Sequence, residues 1–123
     1  MQITSFNPLI LTEHAEEIIA TFEALGFERR HGKEGETFAS VSMKDANGFH
    51  VDVTQVANMP KDMTTIRMSV RDFQETYDFL IAHGFKNVQG DKITDTGSSV
   101  ATMLVSPSGF SISLSHHIRK DEE

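Results

Sequence analysis

Apolar positions along this chain recur with two different periods, and each change of period marks a new element. Between residues 15 and 25, Ala15, Ile18, Ile19, Phe22 and Leu25 return at helical intervals, while Glu16, Glu17 and Glu23 fill the opposite side. This predicts a helix with one buried stripe. Thr12 is placed to cap its start, and Glu13, Glu16 and Glu17 suit the positive end of the helix dipole. Gly26 stands where a left-handed residue closes a helix. A second stripe of Phe73, Tyr77, Leu80 and Ile81 follows the capping-box-like pair Asp72 and Glu75 and stops at Gly84. Elsewhere the period drops to two. Phe49, Val51 and Val53 alternate with His50, Asp52 and Thr54. Ile66, Met68 and Val70 alternate with Thr65, Arg67 and Ser69. Phe110, Ile112 and Leu114 alternate with Ser111, Ser113 and Ser115. Each run predicts a strand with one apolar and one polar face. Asn47-Gly48 and Pro107-Ser108-Gly109 predict hairpins. Gly32, Gly35, Gly90 and Gly97 mark looser loops, and residues 57–61 read as a connector.

The element order repeats. A strand, a helix ending in Leu25-Gly26-Phe27, further strands and a hairpin at Gly48 are followed by a strand, a helix ending in His83-Gly84-Phe85, further strands and a hairpin at Gly109. The helix stops are 58 residues apart and the hairpins 61. Ala15, Ile19, Phe22 and Gly26 align with Phe73, Tyr77, Leu80 and Gly84. The prediction is an α+β fold of two βαβββ modules, about 1–58 and about 64–118, within one domain of 123 residues, with 119–123 as a tail. Neither half is large enough to cover its own sheet comfortably, so the modules are expected to pair.

Composition narrows the partners. Eleven basic residues against eighteen acidic ones leave a net charge of −7, which argues against nucleic acid or an anionic membrane as a partner. The chain has no cysteine, so disulfides, thiolate metal sites and cysteine nucleophiles are excluded. No apolar run approaches the roughly 20 residues of a membrane span, and Met1-Gln2-Ile3-Thr4 lacks the pattern of a signal peptide. The expected location is the cytoplasm.

On the duplicated module, the helix ending at Leu25-Gly26-Phe27 and the hairpin with its following strand, Asp45-Ala46-Asn47-Gly48-Phe49-His50-Val51-Asp52, the whole chain resembles the vicinal oxygen chelate superfamily. That group includes glyoxalase I, extradiol dioxygenases, epimerases and the bleomycin- and fosfomycin-resistance proteins. The resemblance implies curled mixed sheets around a cleft, a small-molecule ligand and, in short members, a homodimer. It also implies, for metal-using members, a histidine-like ligand on the first strand of each module and a glutamate-like ligand on the last. Here the first-strand windows are Phe6-Asn7-Pro8 and Thr64-Thr65-Ile66-Arg67, and the last-strand positions carry Asp52 and Ser113. One ligand-type residue in four falls short of the three that a catalytic divalent metal takes. No cofactor is therefore expected.

The strand alternation then names a candidate site. If the apolar residues pack on the helices, the intervening polar residues face the other way, and buried polar groups without partners are costly. Ligand-binding candidates are His50, Asp52, Thr65, Arg67, Ser111 and Ser113. Arg67 can grip a carboxylate or phosphate through two parallel hydrogen bonds; its plain alternative is a rim arginine reaching solvent. Asp52 is the candidate catalytic group, as a general base, with an ion pair to Arg67 as the structural alternative. No histidine–acid pair stands beside the serines, so a serine nucleophile is not expected. Met59, Met63, Met68 and Met103, with Phe38 and Phe49, either line a pocket or fill core gaps. His116-His117 precede the charged tail and read as an exposed terminus.

The expected function is metal-independent binding of a small anionic or polar metabolite, with catalysis left open. Two alternatives stand beside it. One is a metal-dependent lyase, isomerase or dioxygenase with His50, Asp52 and His116 as ligands to a divalent ion. The other is an antibiotic-sequestering resistance protein.

Overall fold

The computed structural model describes residues 2–30, 40–95 and 99–117. The loop signals at Gly32, Gly35 and Gly97, the aromatic Phe38 and the charged tail from Arg119 lie outside the described residues. The described residues form more strand than helix, with nine strands and two helices in the order β1 (Ile3–Thr12), α1 (Ala15–Ala24), β2 (Glu28–Arg29), β3 (Ser40–Lys44), β4 (His50–Gln55), β5 (Met63–Val70), α2 (Phe73–Ala82), β6 (Lys86–Asn87), β7 (Thr94–Asp95), β8 (Ser99–Val105) and β9 (Ser111–His117). The α+β class read from the periods is the one observed. Among the described residues no helix is long and apolar enough to cross a membrane.

Two compact units divide the chain. One runs from Asn7 to Thr65; the other takes Ile66 onward together with the N-terminal residues up to Phe6. In the first unit β4 pairs parallel with β1 and antiparallel with β3, and β2 continues beyond β3. Val51 and Val53 of β4 and Met43 of β3 pack with Ala15 and Ile19 of α1, joined by half-buried Ile10, Ile18, Phe22, Phe27 and Val41. In the second unit β9 pairs parallel with β5 and antiparallel with β8, whose outer edge carries β6 and the short β7. Met68, Val70, Leu104, Ile112 and Leu114 pack with Leu80 of α2, with Phe73, Tyr77 and Phe85 around them.

The duplication holds down to individual register pairs. Leu9 is the Cα partner of Asp52 on β4, and Arg67 is the partner of Ser113 on β9. The offsets between these pairs are again 58 and 61. The hairpins match as well: Gly48 donates its N–H to the carbonyl of Asp45, and Gly109 donates to that of Ser106. In the first turn the Asp45 carboxylate accepts from the backbone of Asn47 and Phe49; in the second the Ser106 hydroxyl accepts from that of Phe110.

Several local expectations are corrected. α1 begins at Ala15 with His14 as its capping residue, and His14 makes no side-chain capping bond. Thr12, expected as the cap, instead accepts from the His14 N–H through its hydroxyl. Gln55 does the capping from another strand, its amide oxygen accepting from the Ala15 N–H at 3.0 Å. The helix ends two residues before Gly26, so Leu25 falls outside the stripe and is exposed. Ile81, read as part of the second stripe, is also exposed, because the buried line of α2 runs through Thr76 and Leu80 and the next position turns away from it. Phe49 and Phe110 precede their strands rather than beginning them, and both rings are exposed. By contrast Asp72 caps α2 as predicted, accepting from the Glu75 N–H at 2.9 Å.

Candidate functional site

In both units the helix covers the face that carries the apolar alternates, so the polar alternates stand on the face without a helix. In the unit of residues 7–65, His50, Asp52 and Thr54 occupy that face of β4. Asp52 lies between Leu9 of β1 and Ser42 of β3, and only 6% of it is exposed. Lys44 is opposite the half-buried His50, and Thr54 donates to the Ser40 hydroxyl at 3.0 Å. Asn7 and Thr65 belong to this unit and are both buried.

In the other unit the helix-free face is built by three strands. Arg67 and Ser69 of β5 stand beside Ser113 and Ser115 of β9, which in turn oppose Met103 and Ala101 of β8. The Ser69 and Ser115 hydroxyls meet at 2.8 Å. Ser111, opposite Val105, is buried, whereas Arg67, Ser113 and Met103 are half-buried. Asp52, Thr65, Arg67 and Ser111 each have an interaction partner. No buried side-chain nitrogen or oxygen among the described residues lacks a hydrogen bond, which is how a protein tolerates so polar an interior surface.

The candidates named from the sequence therefore fall into two sets. His50, Asp52 and Thr65 belong to one unit, and Arg67, Ser111 and Ser113 to the other. His116 does not share a face with the serines. It has the parity of Ile112 and Leu114, and its Nδ1 lies 2.7 Å from the carbonyl of Val70. His116 and His117 are both strand residues of β9, paired with Val100 and Ser99 of β8, and His116, read from the sequence as part of an exposed terminus, is half-buried. Among the described residues no three His, Cys, Asp or Glu side chains converge on one point.

Several residues at the same positions escaped the sequence reading. Leu9 and Ser42 are register partners of Asp52, and only strand pairing reveals them; Met103, named above with the other methionines, is the partner of Ser113 on β8. Asn7, which the sequence offered only as part of the window Phe6-Asn7-Pro8, stands 58 positions before Thr65 and is buried as Thr65 is. Met68 settles as core, while the half-buried Met59 and Met63 lie outside both apolar clusters.

The sequence matches no protein-family model and none of the curated proteins compared with it. Solved structures do match. A glyoxalase/bleomycin resistance protein/dioxygenase superfamily member from Vibrio splendidus 12B01 superposes with a TM-score of 0.63 at 15% identity, covering 95% of this chain and 100% of that one. Glyoxalase I from Zea mays gives a TM-score of 0.68 at 16% identity, covering 94% of this chain and 44% of that one. The Mn(II)-bound glyoxalase from Novosphingobium aromaticivorans gives 0.60 at 12% identity, with 97% and 42% covered. The chain thus spans less than half the length of these two glyoxalases. The likeness is one of fold, and at that level it bears out the resemblance read from the sequence.

Proposed function

Taking the glyoxalase/bleomycin-resistance/dioxygenase fold as the frame, we propose that this chain is a cytoplasmic, metal-independent protein that binds a small anionic or polar metabolite on its helix-free sheet faces. The observation that carries the reading is the pairing of Arg67 with Ser113 on adjacent strands. A guanidinium beside a hydroxyl supplies the parallel donors that a carboxylate or phosphate accepts. The face of the other unit, taken by itself, carries His50 and Asp52, which are polar contacts for a polar ligand bound there. The donor set supports the metal-independent part. The positions matching the superfamily's ligand strands hold Asn7, Thr65, Asp52 and Ser113, one carboxylate among an amide and two hydroxyls. Such a set does not fit a divalent ion that takes three or more charged or imidazole ligands.

The test is a thermal-shift screen of small acids, followed by equilibrium dialysis. A ligand at a hundredfold its Kd stabilises by about 2.7 kcal/mol, a rise of order 10 °C in Tm for a chain of this size. Arg67→Ala should weaken binding roughly tenfold or more. A screen with no such ligand sinks the proposal. So does elemental analysis that finds one divalent ion per chain in protein purified without chelators, lost in Asp52→Ala; that result would move the reading to a metal-dependent lyase, isomerase or dioxygenase.

A further inference from the structure

The two units repeat one backbone but distribute polarity across it in opposite ways. In the unit of residues 7–65, the strand beside β4 in parallel pairing contributes apolar side chains to the helix-free face, Leu9 and Leu11. The antiparallel neighbour contributes polar ones, Ser40, Ser42 and Lys44. In the other unit the parallel neighbour of β9 brings Arg67 and Ser69 to that face, and the antiparallel neighbour brings Ala101, Met103 and Val105. The fold does not dictate this inversion, because the same register positions accept either chemistry. Its result is a face with a cation and hydroxyls at one side and a half-buried apolar strip at the other.

From this arrangement, and resting on the anion-binding reading above, we propose that the Arg67 unit takes an amphipathic monocarboxylic acid, its head on Arg67 and Ser113 and its hydrocarbon tail over Met103. Adjacent strands lie about 4.8 Å apart. The row Arg67–Ser113–Met103 therefore spans about 10 Å from backbone to backbone, the length of an acid with a medium tail rather than of acetate. Arg67 already has an interaction within the protein, and the carboxylate head, which takes two guanidinium N–H groups, adds to that interaction or replaces it. Ala101 and Val105 flank Met103 on the same face of β8 and extend the strip on either side of the tail. Methionine suits such a surface because its unbranched thioether adapts to the shape of what lies on it. A neutral molecule with the same tail gains no charge-assisted bond to the guanidinium, and a dianion places its second charge on hydrocarbon. Both are disfavoured.

The experiment is isothermal titration of the folded chain with acetate, butanoate, hexanoate and octanoate, and with octanamide as the uncharged control. All ligands are used below their aggregation concentrations, and each variant is first shown to keep a cooperative melt. Affinity should rise roughly two- to fourfold per added methylene once the tail reaches β8, and octanamide should bind at least tenfold more weakly than octanoate. Arg67→Gln should weaken every acid by the same factor. Met103→Gln, which keeps the side chain's length and changes its polarity, should pull the gain per methylene toward one. Acids that bind through Arg67 with no dependence on tail length, or with a dependence unchanged in Met103→Gln, overturn this assignment and leave the anion reading standing. If no acid of any length binds and the small-acid screen is also silent, the anion reading has failed and this proposal falls with it.

Discussion

Gly26 and Gly84 close the two helices at equivalent positions, with φ of +108° and +97°, a region that costs an ordinary L-residue about 1–2 kcal/mol. Their surroundings differ. A methyl group on Gly26 would meet nothing within 4 Å, whereas one on Gly84 would lie 3.3 Å from Cγ of Pro107. Gly84→Ala should therefore destabilise the chain more than Gly26→Ala, and urea unfolding of the two variants side by side measures the difference. Equal losses would mean that the Pro107 ring moves aside without cost. Both glycines were legible as helix stops because a left-handed residue is a local requirement. The contact with Pro107 was not, since the proline lies 23 residues further along the chain. The same limit explains Phe49 and Phe110. Alternation places them in phase with Val51 and Ile112, but their hairpins hold them outside the strands and exposed.

At the scale of elements, α1 and α2 begin by different means. Asp72 caps α2 from the adjacent position in sequence. α1 is capped by Gln55, forty residues away, which also donates to the Glu13 carbonyl at 2.7 Å. Gln55→Ala should thus cost about 1 kcal/mol, similar to Asp72→Ala. Only Gln55→Ala should also speed hydrogen exchange at the Ala15 amide. An Ala15 amide that keeps its protection in that variant would show that another group takes over the bond. A second non-local device ties the outer edge of the Arg67 unit together. Asn87 of β6 accepts from the Thr102 hydroxyl at 2.8 Å and donates to the Tyr77 hydroxyl and the Lys92 carbonyl. This buried knot joins β6, β8 and α2 with every polar atom satisfied, so that truncating one member leaves the others unpaired. No spacing in the sequence announces it.

For the whole molecule, charge and apolar surface pull in different directions. A net charge of −7 keeps copies apart at long range, yet Phe6, Leu25 and Phe49 are each more than 60% exposed, apolar surface that association would cover. We propose a homodimer, the state that the resemblance implies for a chain of this length. Sedimentation equilibrium at micromolar concentration and about 150 mM salt, where the Debye length is about 8 Å, should return twice the monomer mass. A single species at the monomer mass overturns it.

Taken alone, the sequence determined the two periods, both helix stops, both hairpins and the duplication with its offsets of 58 and 61. These rest on interactions between residues near in the chain, or on a pattern compared with itself, and neither needs the other strands in place. It also determined which side of β4, β5 and β9 would be polar, because strand parity follows from the backbone. Tertiary structure alone decided what stands beside what. It placed Leu9 and Ser42 next to Asp52, Arg67 and Met103 next to Ser113, Gln55 at the start of α1, and His116 on the helix side of β9. Register joins residues that are tens of positions apart, and it is set by the fit of whole apolar faces against their helices. The chemistry of each row exists only once that packing has been made.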